Sequence, residues 1–196
     1  LAALYRRSAT GEGARIEVPL FESQLSWLAN RAQEYLVSGE DVGRLGNAHP
    51  SIVPYQTFDA SDKKLALAVG NDAQFENLCR AIGRPELASD GRFASNPARV
   101  ANRELLVAIL DEEFSKKSAD EWTEVIKEAG VPVGPVNPLA DVFSDRHVLN
   151  SGMLQDVELP AAGSLKMLTS PILLDGERLQ MRCPPPTLGQ HTEEGW

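Results

Sequence analysis

The stretch Arg44-Leu-Gly-Asn-Ala-His-Pro-Ser-Ile-Val-Pro-Tyr-Gln56 divides the chain. Before it runs a long segment with helical apolar spacing. After it come two runs with the alternation of strands. Within it, Gly46 has access to backbone angles closed to other residues. Pro50 and Pro54 fix their own φ and push His49 and Val53 toward extended conformations. The stretch therefore reads as an ordered, non-repetitive loop that projects polar groups: Asn47, His49, Ser51, Tyr55 and Gln56. Two readings are open for it, a stiff connector between domains or a loop that carries function.

Working outward, residues 65–69 alternate, with Leu65, Leu67 and Val69 on one face. With residues 55–59 they predict a hairpin turned at residues 59–62. Phe75, Leu78, Cys79 and Ile82 predict a helix closed by Gly83, with Asp72 as its N-cap. Asn96-Pro97 is a helix-start signature, and Ala101, Leu105, Ile109 and Phe114 continue a helical stripe. Ser118 and Glu121 have the spacing of a capping box, ahead of Trp122, Val125, Ile126 and Ala129 on one face and a stop at Gly130. Residues 131–136, with Pro132 and Pro135, read as a rigid extended crossing. Asn137-Pro138 opens a short helix through Phe143, and Asp145 caps a turn holding His147. Residues 153–159 and 165–168 read as strands joined at residues 161–163, followed by a third run at 172–174.

On the other side, residues 1–7 are helix formers stopped by the sequence Thr10-Gly-Glu-Gly13. Residues 15–20 alternate like a short strand. Phe21, Leu25, Leu28, Ala32, Tyr35 and Leu36 predict one long amphipathic helix ending near Gly39. This looks like the edge of a sheet layer whose other strands lie elsewhere, because a single strand cannot satisfy its own edges. Gly11-Glu-Gly13 is no dinucleotide loop: it follows a helix, precedes a strand and lacks the third glycine.

Composition sets outer limits. At 42% hydrophobic and 24% charged residues, the chain has the profile of a globular protein able to form a core. A net charge of −9 argues against non-specific binding to nucleic acid or anionic membrane, yet leaves room for a local basic pocket. No run is apolar enough to span a membrane. Cys79 and Cys183 make neither a disulfide framework nor a metal-ligand pattern, so no metal is expected and a reducing compartment fits. Cys79 is expected to be buried and Cys183, ahead of three prolines, exposed. No signal peptide is visible, and Leu1 reads as the inside of a helix. The natural N-terminus, with any targeting information, is therefore expected upstream.

The segments RLGNAHPSIVPYQTF (44–58), AVGNDAQFENLC (68–79), AGVPVGPVN (129–137) and PPPTLGQHTEE (184–194) resemble, in order, the C-terminal half of the family III CoA-transferases, the CaiB/BaiF group. The resemblance implies an α/β fold. It consists of a piece of a Rossmann-like large domain (residues 1–40), a linker and substrate-side loop (41–55), a small α+β domain (56–175) and a tail returning to the large domain (176–196). It implies CoA transfer between an acyl-CoA and a carboxylic acid through an aspartyl-CoA intermediate. The CoA thioester is a substrate there, no cofactor is permanently bound, and the intact protein is an interlocked homodimer. The family's nucleophilic Asp falls upstream of Leu1, so no catalytic residue is assigned here and the chain alone is expected to be inactive. By the same resemblance Gly46, Asn47, His49, Pro50 and Ser51 match the loop that closes over the reacting carboxylate, with Tyr55 and Gln56 beside it. An imidazole and a hydroxyl there suit a second carboxylate, with His49 donating a hydrogen bond as the neutral or the protonated ring. Gly189, Gln190 and His191 match a tail motif without an assigned chemical role. The resemblance also covers acyl-CoA racemases, one of whose acidic residues Asp72 roughly overlays. The GNAHP loop and the VGND spacing speak against that activity. A non-catalytic interaction fragment is the remaining alternative. The family fits the cytoplasm or the mitochondrial matrix.

Overall fold

The computed structural model describes residues 1–41, 43–159 and 163–192, in two compact units, Leu1–Gly46 and Asn47–Trp196. The expected turn at Ala161 and Ala162 and the tail residues Glu193 and Glu194 lie outside the described residues.

The first unit holds three helices, α1 (Ala2–Thr10), α2 (Leu20–Trp27) and α3 (Ala29–Ser38). Gly11 and Gly39 end α1 and α3 in the left-handed region, at φ 76° and 73°. None of the three helices has a buried residue. Two expectations are corrected. Residues 15–20 form no strand: residues 12–19 are neither helix nor strand, and α2 already starts at Leu20. Alternation sets which face a strand would bury, but a ladder needs a neighbouring strand, and the described part of this unit contains none. The single long helix is two helices, broken where Ala29 adopts φ 41°. Apolar spacing runs through this break because Leu28 and Ala32 keep their places in the pattern, and no glycine or proline marks it.

The second unit is built on an antiparallel sheet of β1 (Tyr55–Asp59), β2 (Lys64–Ala68) and β3 (Val133–Pro135), in that order. The expected hairpin forms, pairing Phe58 with Leu65 and Gln56 with Leu67. The extended crossing at 131–136 contributes the third strand, Leu67 opposite Val133. Phe58, Leu65, Leu67 and Val69 are buried, as alternation requires. They share one core with residues of α4 (Asp72–Ala81), α5 (Glu86–Ser89), α7 (Arg103–Phe114) and α8 (Ala119–Glu128). Between α5 and α7 lies α6 (Asn96–Ala101), capped by the Ser95 side chain.

Local rules account for several helix ends. The Ser118–Glu121 capping box forms in both directions at the start of α8. Asp62, in the hairpin turn, accepts a 2.8 Å hydrogen bond from the Ala119 amide. That bond lowers its pKa and ties the turn to the helix. At α4 the N-cap is Asn71, whose side chain accepts from the Gln74 amide, and not Asp72. Asp72 is instead the first helical residue and reaches Arg99. The expected stripe through α7 is also corrected. The helix restarts after Asn102, and the buried apolar positions are Leu106, Leu110 and Phe114, whereas Leu105 is 42% exposed.

Beyond the sheet lie α9 (Leu139–Ser144) and α10 (Arg146–Asn150), the latter capped by Asp145 as expected. Two hairpins follow: β4 (Leu154–Leu159) with β5 (Gly163–Leu168), and β6 (Leu173–Leu174) with β7 (Glu177–Arg178). Strand β7 was not foreseen. Its signal is Asp175-Gly176, both at positive φ, the pair favoured in tight hairpin turns.

Cys79 is fully buried and Cys183 exposed, as expected. Burial pushes the Cys79 thiol up to about 12, so almost none of it is thiolate near neutrality. Iodoacetamide at neutral pH is expected to alkylate Cys183 and spare Cys79, read by mass spectrometry of the folded chain. Equal labelling of both would mean that this core opens.

Candidate substrate-side loop

Gly46 sits at φ 60°, a conformation that favours glycine over any residue with a Cβ. From Asn47 onward the loop is fastened residue by residue. Asn47 uses both ends of its amide on one strand residue: Nδ2 donates to Thr57 Oγ1 at 2.7 Å, and Oδ1 accepts from Thr57 N at 3.0 Å. His49 N donates to the Tyr55 carbonyl at 2.9 Å. The His49 ring lies over the Tyr55 ring, centroids 5.3 Å apart and planes 19° from parallel. Ser51 N donates to His49 Nδ1 at 3.2 Å. A ring nitrogen that accepts from an amide carries a lone pair, so the imidazole proton is on Nε2. The neutral ring therefore offers an N–H donor. The protonated ring considered from the sequence would have to give up the Ser51 bond.

The other side of the loop is held from helices α6 and α7. Asn96 donates Nδ2 to the Ser51 carbonyl at 2.8 Å and accepts from Val53 N at 3.1 Å. Arg99, fully buried, donates Nε to the Val53 carbonyl at 2.7 Å, Nη1 to the Phe93 carbonyl at 2.9 Å and Nη2 to Asp72 at 2.7 Å. Its guanidinium lies 4.4 Å from the centroid of the Phe75 ring. Arg103 Nη2 donates to two consecutive carbonyls, His49 at 2.9 Å and Pro50 at 2.8 Å. The Val53-Pro54 peptide bond is cis. The loop is thus an ordered segment in which the carbonyls of His49, Pro50, Ser51 and Val53 and the amides of His49, Ser51 and Val53 have partners.

Asn47, Tyr55 and Gln56 line a shallow cavity of about 340 Å³ on the sheet, with Thr57, Ala66 and Gly134. Tyr55 is 42% exposed and lines this cavity, so it does not sit in the core. The tail motif forms a local turn. Gly189 has φ 78°, and Gln190 accepts on Oε1 from Thr187 N at 2.9 Å. Among the described residues no three His, Cys, Asp or Glu side chains are grouped to hold a metal ion. No described helix is long and apolar enough to cross a membrane.

Sequence reasoning did not single out Arg99 and Arg103, and used Asn96 only as a helix-start signal. For Arg103 the clue lies in its spacing. Arg103 falls on the side of α7 that carries Leu106, Leu110 and Phe114, so a cation stands in line with an apolar stripe.

The profile of CoA-transferase family III matches residues 1–192, and the chain belongs to that family. It is 36% identical over 192 residues to succinyl-CoA:glutarate CoA-transferase of Mus musculus, an alignment covering 98% of this chain and 44% of the mouse protein. It is 38% identical over 175 residues to acetyl-CoA:oxalate CoA-transferase of Acetobacter aceti, covering 89% of this chain and 44% of that protein. Its fold superposes with a TM-score of 0.78 on the crystal structure of a CaiB/BaiF family protein from Brucella suis, at 40% identity, covering 97% of this chain and 49% of the other. The chain spans about half the length of the relatives it matches.

Proposed function

We propose that this chain is the C-terminal half of an enzyme that moves CoA between an acyl-CoA thioester and a dicarboxylic acid. The observation that carries the reading is the His49 ring, held by the Ser51 amide and the Tyr55 ring in an ordered loop whose Asn47 and Tyr55 line the sheet cavity. A donor fixed in advance suits a carboxylate oxygen, and a hydrogen bond to a charged acceptor is stronger than one to a neutral acceptor. Glutarate and oxalate, in the names of the two relatives, are both dicarboxylates. One carboxylate of such an acid reacts, and the second is the group His49 would read.

The chemistry follows the family. An Asp carboxylate attacks the thioester carbonyl, expelling CoA thiolate and leaving a mixed anhydride. The thiolate attacks the aspartyl carbonyl of the anhydride, releasing the first acid and leaving aspartyl-CoA. The second acid attacks that thioester, expels the thiolate and forms a new anhydride. The thiolate then takes the new acyl group and frees the Asp. Covalent catalysis of this kind conserves the thioester energy, and closure over the anhydride must exclude water. No aspartate of this chain matches the nucleophile by motif. We place that residue in the half of the family that this chain does not span. The CoA thioester is substrate, and an interlocked homodimer in the cytoplasm or mitochondrial matrix completes the proposal.

The test is a polypeptide carrying this chain together with the segment that precedes it in its relatives, supplied with succinyl-CoA and glutarate. Glutaryl-CoA is expected from that polypeptide and none from the 196-residue chain alone. His49→Ala is expected to raise KM for glutarate about 10- to 100-fold, one hydrogen bond to a charged group being worth about 1.5–3 kcal/mol. An unchanged KM removes His49 from the site, and turnover by the chain alone removes the missing-nucleophile reading.

A further inference from the structure

We infer that Arg103 is a positioning residue for the acceptor acid, acting through the backbone of the His49 loop. This rests on the reading of His49 given above. The imidazole can present Nε2–H in one direction only if the peptide units on both sides of His49 are fixed. The preceding side is set by His49 N donating to the Tyr55 carbonyl. The following side is set by Arg103, whose single nitrogen Nη2 bonds the carbonyls of His49 and Pro50 together. Among the described residues no other side chain is bonded to either carbonyl. With the backbone fixed, the Tyr55 ring and the Ser51 amide leave the imidazole one orientation.

Two further observations separate this role from ordinary packing. First, Arg103 Nη1 is buried and meets no acceptor among the described residues. Among the described residues, the hydrogen bonds of Arg103 are the two that Nη2 makes to the loop. Second, the rest of the loop has its own fastenings. Ser51 and Val53 are held by Asn96 and Arg99, and Asn47 by Thr57. Loss of Arg103 should therefore free the His49–Pro50 peptide without unfolding the loop.

Two measurements test this. In the chain itself, amide hydrogen exchange at His49 and Ser51 should accelerate about 10- to 100-fold in Arg103→Met. Amides of the Tyr55–Asp59 strand should stay near parent rates. Arg103→Lys, whose ammonium can still reach two carbonyls, should restore most of the protection. In the two-half polypeptide, the preference for glutarate over pentanoate, measured as a ratio of kcat/KM, should fall about tenfold in Arg103→Met. The change should lie in KM for glutarate, and Arg103→Lys should recover it. A lesion that merely loosened the fold would lower activity toward both acids and leave the ratio alone. Unchanged exchange at His49 and Ser51, or an unchanged ratio in an enzyme that turns over glutarate, overturns the inference. No glutarate turnover by the parent polypeptide removes the function reading and this inference with it.

Discussion

Arg99→Met is expected to destabilise the chain by about 3–5 kcal/mol, the range seen when one partner of a buried charged network is removed. For a chain of this size that is a fall in Tm of roughly 6–20 °C. Met has similar bulk, so the cavity contribution is small and the polar one dominates. Arg99 is 0% exposed, and two of its three acceptors are the backbone carbonyls of Val53 and Phe93. A mutation cannot delete a carbonyl. Both would stay buried without the guanidinium, each at about 1–3 kcal/mol, and the cation over Phe75 would be lost as well. The third acceptor behaves differently. The Asp72 side chain is 58% exposed, so Asp72→Asn should cost under about 1 kcal/mol. Thermal unfolding of the two variants by circular dichroism separates these costs. A larger fall for Asp72→Asn than for Arg99→Met would show that the ion pair, and not carbonyl satisfaction, is what Arg99 supplies.

Arg99 also marks where the sequence stops being legible. The hairpin, the Ser118–Glu121 box and the glycine stops were readable because each is decided within a few residues. Alternation fixes a strand face, a hydroxyl fixes a cap and a positive φ selects glycine. The loop was readable as ordered because Pro50 and Pro54 act locally. What holds it was not readable. Arg99 meets Val53 from 46 positions away, and Arg103 meets His49 from 54. No periodicity encodes which carbonyl a distant guanidinium will find. The tautomer of His49 follows from a bond two residues long, yet it depends on a ring orientation that Tyr55 and Arg103 impose. In the first unit the failure was of another kind. Residues 15–20 carry a strand pattern and form no strand, because a pattern specifies a face and only a partner supplies the ladder.

Phe114→Ala is expected to cost about 3–5 kcal/mol, the usual penalty for emptying a buried phenylalanine site. The Phe114 ring, fully buried, sits 5.0 Å from that of Phe58 and 5.6 Å, edge-on, from that of Trp122. Its truncation therefore loosens strand, α7 and α8 at one point. Trp122 Nε1 donates to the Phe114 carbonyl, which survives the change, so the tryptophan should remain bonded while its fluorescence and near-UV dichroism shift. The same measurement decides the helical phase of α7 when two neighbours are compared. Leu106→Ala should cost about 2–5 kcal/mol, as a buried leucine does. Leu105→Ala, at a site 42% exposed, should cost well under half of that. Reversal of that order would restore the stripe read from the sequence. It would also undo the site, because the phase that sends Leu106, Leu110 and Phe114 into the core is the one that points Arg103 at His49 and Pro50. At 100° per residue, residue 105 lies about 200° around the helix from residue 103, whereas 106, 110 and 114 fall within about 60° of it. The packing of three apolar side chains thus sets the direction of the guanidinium that holds the histidine, and a one-residue error in reading that stripe hides the connection between core and loop.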